Sequence, residues 1–204
     1  MSEVEKWEFG STEWCEYCGN LGVQMINENV ADLTGIEWGF SEIYTHAPDR
    51  ILAGREMSAY YFMVKDGKAI GGVGAPEECR ALPGFHVEIP WGAIAHASSF
   101  FYGRKGQAER SAGEGVLFKA IAESTGISNP LGLKRREVYW HPEIGRALGK
   151  GAEEGGGLHN ETAKRLIPSP EVANLPQTKW GVPIWEEMSE KQRNDFLTLI
   201  GVQT

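Results

Sequence analysis

No stretch of this sequence approaches the ~18 consecutive apolar residues a transmembrane helix needs, so a helical membrane span is not expected. The opening residues, Met1-Ser2-Glu3-Val4-Glu5-Lys6, are acidic and carry no apolar run, unlike a secretory signal or an Arg-rich transit peptide. Cysteine is scarce. Cys15, Cys18 and Cys79 are an odd number and too few for a disulfide framework, which points to reduced thiols in a cytoplasmic protein. Basic charge is also in deficit. Against 28 Asp and Glu stand 20 Lys and Arg, a net charge of −8, and such a chain repels phosphate backbones and anionic bilayers. Neither nucleic acid nor membrane is expected as a partner.

Several motifs are missing too. There is no phosphate-binding G-x-x-x-x-G-K-[ST], no H-E-x-x-H and no G-x-S-x-G; Gly72-Val73-Gly74 lacks the third glycine of a dinucleotide fingerprint and a helix to open. These absences argue against nucleotide-dependent chemistry, zincin proteolysis and the α/β-hydrolase fold. No organic cofactor is implied. The 204 residues are enough for one substantial core without staples, burying about 70% of the surface that the unfolded chain exposes.

The patterns that are present define elements. Ser11 and Thr12 can cap a helix whose stripe Trp14, Cys18, Leu21, Met25 extends to Leu33, and Gly19 and Gly22 within it imply close packing on a sheet. Residues 36–44 alternate with period two, so Ile36, Trp38, Phe40, Glu42 and Tyr44 share a strand face. Asp66-Gly67 between two strand-like runs predicts a type I′ hairpin. Phe85–Ile89 is a further short strand, and residues 136–140 another. Helices are expected from Trp91, over 107–125 with Gly126 as cap, over 142–148, over 158–166 and over 187–200, where Ser189-x-x-Gln192 suggests a capping box.

Strands cluster early and helices late, without strand–helix alternation. This predicts an α+β fold: a mostly antiparallel, curved sheet with helices packed on one face and an apolar pocket between them. Residues 1–166 form the domain. Residues 167–204 form a Pro-rich arm and C-terminal helix laid on the domain or on a partner subunit. Trp180 and Trp185 in that arm require cover, so a homodimer is expected.

Candidate catalytic groups fall into two pairs. His86 and Glu88 sit at i and i+2 on one strand face, opposite Phe85, Val87 and Ile89; facing a cavity they would be an acid/base couple, facing water a polar surface. Glu42 interrupts an aromatic row, where burial would raise its pKa toward that of a general acid, and His46 follows it closely. Tyr60, Trp38, Trp91 and Phe101 supply aromatic surface for a ligand or for the core. His86, Glu88 and His96 have the composition of a 2-His-1-carboxylate metal site. Cys15-x-x-Cys18 lacks a second ligand pair and a preceding strand, and reads as two small core residues. His141 and His159 stand at helix starts. The basic clusters Arg104-Lys105 and Lys134-Arg135-Arg136 could hold an anionic group of a ligand.

Together these residues suggest a cofactor-independent enzyme of lyase, isomerase, decarboxylase or hydrolase type. It would transfer protons on a small apolar or aromatic molecule, with His86, Glu88, Glu42 and His46 as acids and bases. A non-catalytic carrier of a hydrophobic ligand would use the same pocket. A mononuclear metal enzyme is the third alternative.

Overall fold

A computed structural model describes residues 4–98, 103–130, 134–135 and 138–202. A two-residue strand, β1 (Trp7–Glu8), leads into α1 (Thr12–Asn29). Ser11 caps this helix, its Oγ accepting from the Trp14 amide. The helix stops four residues before Leu33 because the Asn29 side chain turns back onto the Met25 carbonyl and Asp32 accepts from the Thr34 amide, two local bonds that compete with further helix.

The five-stranded sheet has the order β4-β3-β2-β5-β6. Its centre is β2 (Trp38–Thr45). A helical turn, α2 (Asp49–Leu52), leads to β3 (Ser58–Lys65), which returns antiparallel to β2 and forms a hairpin with β4 (Lys68–Val73). Asp66 and Gly67 both have positive φ, 50° and 71°, as a type I′ turn demands. A second turn, α3 (Glu77–Arg80), precedes β5 (Gly84–Pro90), which pairs parallel to β2. The sheet is therefore mixed, not mostly antiparallel. The hairpin and α3 together form the long crossover that a parallel pair requires, a role no local pattern in the sequence marks. The outer strand, β6, is described over Lys134–Arg135. Val138–Trp140 is not strand, and Arg136 and Glu137 lie outside the described residues.

Register fixes the two faces. Phe40 stands beside Phe62 and Phe85, and Glu42 beside Tyr60 and Val87, so these residues share one face. Helix α1 packs there: a Cβ on Gly22 would lie 2.5 Å from the Phe62 ring, and one on Gly19 2.6 Å from the Gly72 backbone. Ser41, His86 and Glu88 take the opposite face. That face is not bare of helix, since α3 seats Cys79 against it, its Sγ 3.3 Å from the Phe40 carbonyl.

The rest of the chain is helical. It runs through α4 (Trp91–Ser98), α5 (Gly103–Thr125), α6 (Pro142–Gly149), a 3-10 turn at Ala152–Glu154 and α7 (Gly157–Ala163). Gly126, at φ 74°, ends α5. Strand β7 (Leu166–Ile167) pairs parallel with β1, and Arg50 reaches both Glu8 and Glu171 to hold this corner. The Pro-rich arm contains the turn α8 (Pro170–Ala173) and a 3-10 turn at Trp185–Glu187, and α9 (Glu190–Leu199) follows with the Ser189–Gln192 capping box formed. The arm lies on its own domain. Trp185 is buried within the chain, Trp180 is partly buried with its indole N–H on Glu109, and Val182 packs over Gly113 of α5. The need for a partner subunit to cover these tryptophans is thereby removed. Among the described residues no helix is long and apolar enough to cross a membrane.

Candidate functional site

A cavity of about 920 Å³ lies between the aromatic face of the sheet and the helices α5, α6 and α7. Its size is at the upper end of the range for small-molecule sites. Strand alternation places Phe40, Glu42 and Tyr44 of β2 in its wall, with Tyr60 of β3 and Phe85 of β5 beside them. Phe40 stacks on Phe85 with centroids 5.3 Å apart, and Trp140 tilts against Phe85 at the same distance. Trp14 of α1 meets the Tyr60 ring edge-on.

Glu42 is the one acid on this strand face. Tyr44 and Tyr60 both donate to its Oε2, at 2.5 and 3.3 Å. Among the described residues both donors to the Glu42 carboxyl meet its Oε2, none meets Oε1, and Glu42 lines the cavity. Burial raises the Glu42 pKa above the ordinary carboxylate value, and the two phenols oppose that rise. Burial, with the Glu42 charge beside them, raises both tyrosines well above their usual range, so they remain donors. Glu42 keeps some accessible surface because it faces the cavity.

A second polar group lies in the helical wall. Arg110 and Glu114, one turn apart on α5, line the cavity with Nε and Oε1 3.6 Å apart, and His159 of α7 stands in the same wall. Burial raises the Glu114 pKa against the opposing charge of Arg110. Burial, reinforced by Arg110, lowers His159 to about 4. His159 nevertheless keeps a large accessible surface; the two facts fit a ring that stands in the cavity and not in bulk solvent. Behind Glu114, buried His96 donates from Nδ1 to the Gly92 carbonyl at 3.1 Å, and burial lowers its pKa to about 4. At neutral pH both imidazoles are uncharged.

The residues singled out from sequence are dispersed by the fold. Glu42 and Tyr60 meet in the cavity. His46 does not join them: it is exposed, at φ 58°, with Nδ1 3.1 Å from Thr45 Oγ1 and its ring against Gly201. His86 and Glu88 do share a face, but it is the face away from the main cavity. His86 Nδ1 accepts from the Ser41 hydroxyl at 2.9 Å and Nε2 donates to the Leu82 carbonyl at 3.0 Å, roles that follow from the partners' chemistry. Glu88 pairs with Arg80 and Lys134. These groups border a smaller cleft of about 270 Å³. His96 is buried on α4, bonded to its own helix, and the set His86, Glu88, His96 is not assembled; among the described residues no group of three potential metal ligands occurs.

Trp38 and Trp91 are fully buried core residues, their indole N–H groups donating to the Tyr139 and Phe9 carbonyls, and neither lines the cavity. Phe101, Arg136 and the Arg104, Lys105 and Arg135 side chains lie outside what is described. Cys15 and Cys18 are buried free thiols beneath Glu42 and Tyr60; burial raises Cys15 to about 11 and Cys18 well above its usual value, so neither is a ready thiolate.

Sequence reasoning missed Arg110 and Glu114 and passed over Tyr44 and Trp140. The signal for the first pair was present. Arg110, Glu114, Leu117 and Ile121 follow one helical stripe, so two charges continue a face that is apolar further on. Compared with known proteins, the chain matches no family model, no curated sequence and no solved structure.

Proposed function

We propose that this protein is a cofactor-independent enzyme that moves protons on a small apolar or aromatic molecule held in the main cavity, with Glu42 as the acid/base group. The observation that carries this is the convergence of Tyr44 and Tyr60 on a single oxygen of a buried carboxyl. Two phenols fix the carboxyl plane and occupy Oε2, which leaves Oε1 to take a proton from the ligand and return it. A raised pKa brings such a carboxyl closer to the operating pH, where acid and base forms are both accessible. Phe40, Phe85 and Trp140 offer flat apolar surface to a ring and keep water from the reacting atoms. His86, Glu88 and His46 have no part in this scheme, because the fold turns them away from Glu42.

The alternative is a carrier for a hydrophobic ligand, and the largely aromatic and aliphatic lining is what favours it. Isotope exchange separates the two. Aryl ketones and other enolisable aromatic carbonyl compounds are incubated with the protein in deuterium oxide, and deuterium uptake at carbon is read by mass spectrometry. An enzyme accelerates exchange of at least one compound over buffer, and Glu42→Gln lowers that rate by roughly 10²–10⁴ while the compound still binds. Binding without exchange by the wild-type protein would leave the carrier.

A further inference from the structure

We propose that this cavity takes an elongated molecule, an aromatic head at Glu42 carrying an apolar tail, and that Gly115, Gly145 and Gly149 admit the tail between α5 and α6. The proposal rests on the cavity being the ligand site and names the class of molecule it takes. The cavity has a closed end and an open one. Around the Glu42 carboxyl, which two phenols hold, the lining residues Phe9, Trp14, Tyr44 and Tyr60 are buried. Among the described residues of the lining, the exposed ones all stand on the helical side. They are Ser111 and Gly115 of α5, Trp140 ahead of α6, Gly149 at its end and His159 of α7. A ligand that reaches Glu42 from solvent therefore passes between these helices. At about 920 Å³ the cavity is far larger than one ring, so the space between Glu42 and the mouth suits a longer molecule.

Three glycines mark the path. Glycine weakens a helix relative to alanine, so its presence there calls for a reason. Gly19 and Gly22 have one in the sheet they touch, and Gly126 in its positive φ. Among the described glycines with ordinary backbone angles, Gly115, Gly145 and Gly149 alone would place a Cβ where no atom lies within 4 Å. All three line the cavity. Gly145 and Gly149 lie one turn apart on α6, and Ser111 and Gly115 one turn apart on α5, so each pair shares a helix face. Neither backbone conformation nor close packing asks for glycine at these positions; an open passage does. Phe118, Leu148 and Leu158 give that side of the cavity an apolar surface for a tail. Arg110 and Glu114 in the same wall pair with each other and so do not call for a charged one.

A series of alkyl phenyl ketones, from acetophenone to octanophenone, tests this by displacing the neutral fluorescent cavity probe phenylnaphthylamine from the whole protein. In the wild-type protein affinity should rise by about twofold to fourfold with each methylene, the effect of burying it half or fully. Gly115→Leu on one side of the passage, and Gly145→Leu with Gly149→Leu on the other, fill the space the tail would take. Each should weaken octanophenone at least about tenfold and leave acetophenone within about twofold. Three results would overturn the proposal: wild-type affinity that does not grow with the tail, leucine variants that leave octanophenone unchanged, or equal weakening of both ketones with unchanged circular dichroism. Deuterium exchange into acetophenone, lowered by Glu42→Gln, would still carry the Glu42 reading. Binding of neither probe nor ketone, the latter read by calorimetry, would overturn both. Should a leucine variant not fold, alanine at the same positions carries the test. It should weaken octanophenone against acetophenone at least about twofold, and no such difference would overturn the proposal.

Discussion

Ser41 and Leu82 between them occupy both nitrogens of His86, and this decides what that histidine does. Alternation along the strand correctly placed His86 and Glu88 together and opposite Phe85 and Val87. It could not say which face would meet the helices and the cavity, because that depends on where distant segments pack. Replacing Ser41 by Ala should remove the 2.9 Å hydrogen bond to the buried His86 ring. A loss of about 1–3 kcal/mol in urea-derived stability is expected, with no change in binding of the neutral cavity probe. Weaker probe binding in that variant would mean the two faces communicate. Glu42 was legible for the opposite reason. An acid in an aromatic row is a local conflict visible without any tertiary information. Its raised folded-state pKa carries a definite sign. The folded protein binds this proton more tightly than the unfolded chain, so the stabilisation is complete below about pH 4.3, the unfolded glutamate value, and is lost as pH rises through the folded pKa. Glu42→Gln, which can still accept from both tyrosines, should gain in melting temperature relative to wild type on going from pH 4 to pH 7. A difference that does not change with pH would show that Glu42 titrates as an ordinary exposed carboxyl.

Elements set by local chemistry were readable; pairings between distant strands were not. Ser11 and Ser189 announced their caps, and Asp66-Gly67 announced its turn, because each acts within a few residues. The parallel pairing of β2 with β5 depends on segments some forty residues apart and leaves no mark in either strand, so an antiparallel sheet was the natural expectation. The glycines of α1 did carry non-local information, since a helix tolerates them only for a reason. Gly→Ala in a helix ordinarily stabilises by about 0.5–1 kcal/mol. At Gly19 the new methyl would lie 2.6 Å from the backbone of Gly72, which no rotamer change can relieve, so Gly19→Ala should destabilise. At Gly115 of α5 nothing stands within 4 Å, and Gly115→Ala should show the ordinary gain. Chemical denaturation of the two variants against wild type reads both signs. Stabilisation by Gly19→Ala would mean α1 sits further from the hairpin than described.

At the scale of the whole molecule, the Pro-rich segment separates what sequence can and cannot say about burial. Four prolines argue against helix and inner strand, and Trp180, Ile184 and Trp185 against a solvated linker; the segment nevertheless forms the single helical turn α8 (Pro170–Ala173), and Trp185 is buried. Whether the cover comes from the same chain or from another is a question of topology, and here the same chain supplies it. Trp185 is 6% accessible, its carbonyl accepts from Arg193 Nε, and the Arg193 guanidinium lies 5.3 Å from its ring centre. Phe196, Leu197 and Ile200 join the core that α1 and the sheet build, and Leu199 closes over Gly92 at the start of α4. The arm and α9 are thus part of one hydrophobic unit with the cavity walls. Unfolding should be a single transition, and Trp185→Ala should lower stability by about 3–5 kcal/mol, the range for removing a large aromatic from a packed core. Because the contacts are intrachain, that loss should be the same at protein concentrations differing a hundredfold. A loss that shrinks on dilution would show that Trp185 is covered by a second copy of the chain, since an intermolecular contact stabilises the wild type only where the copies associate.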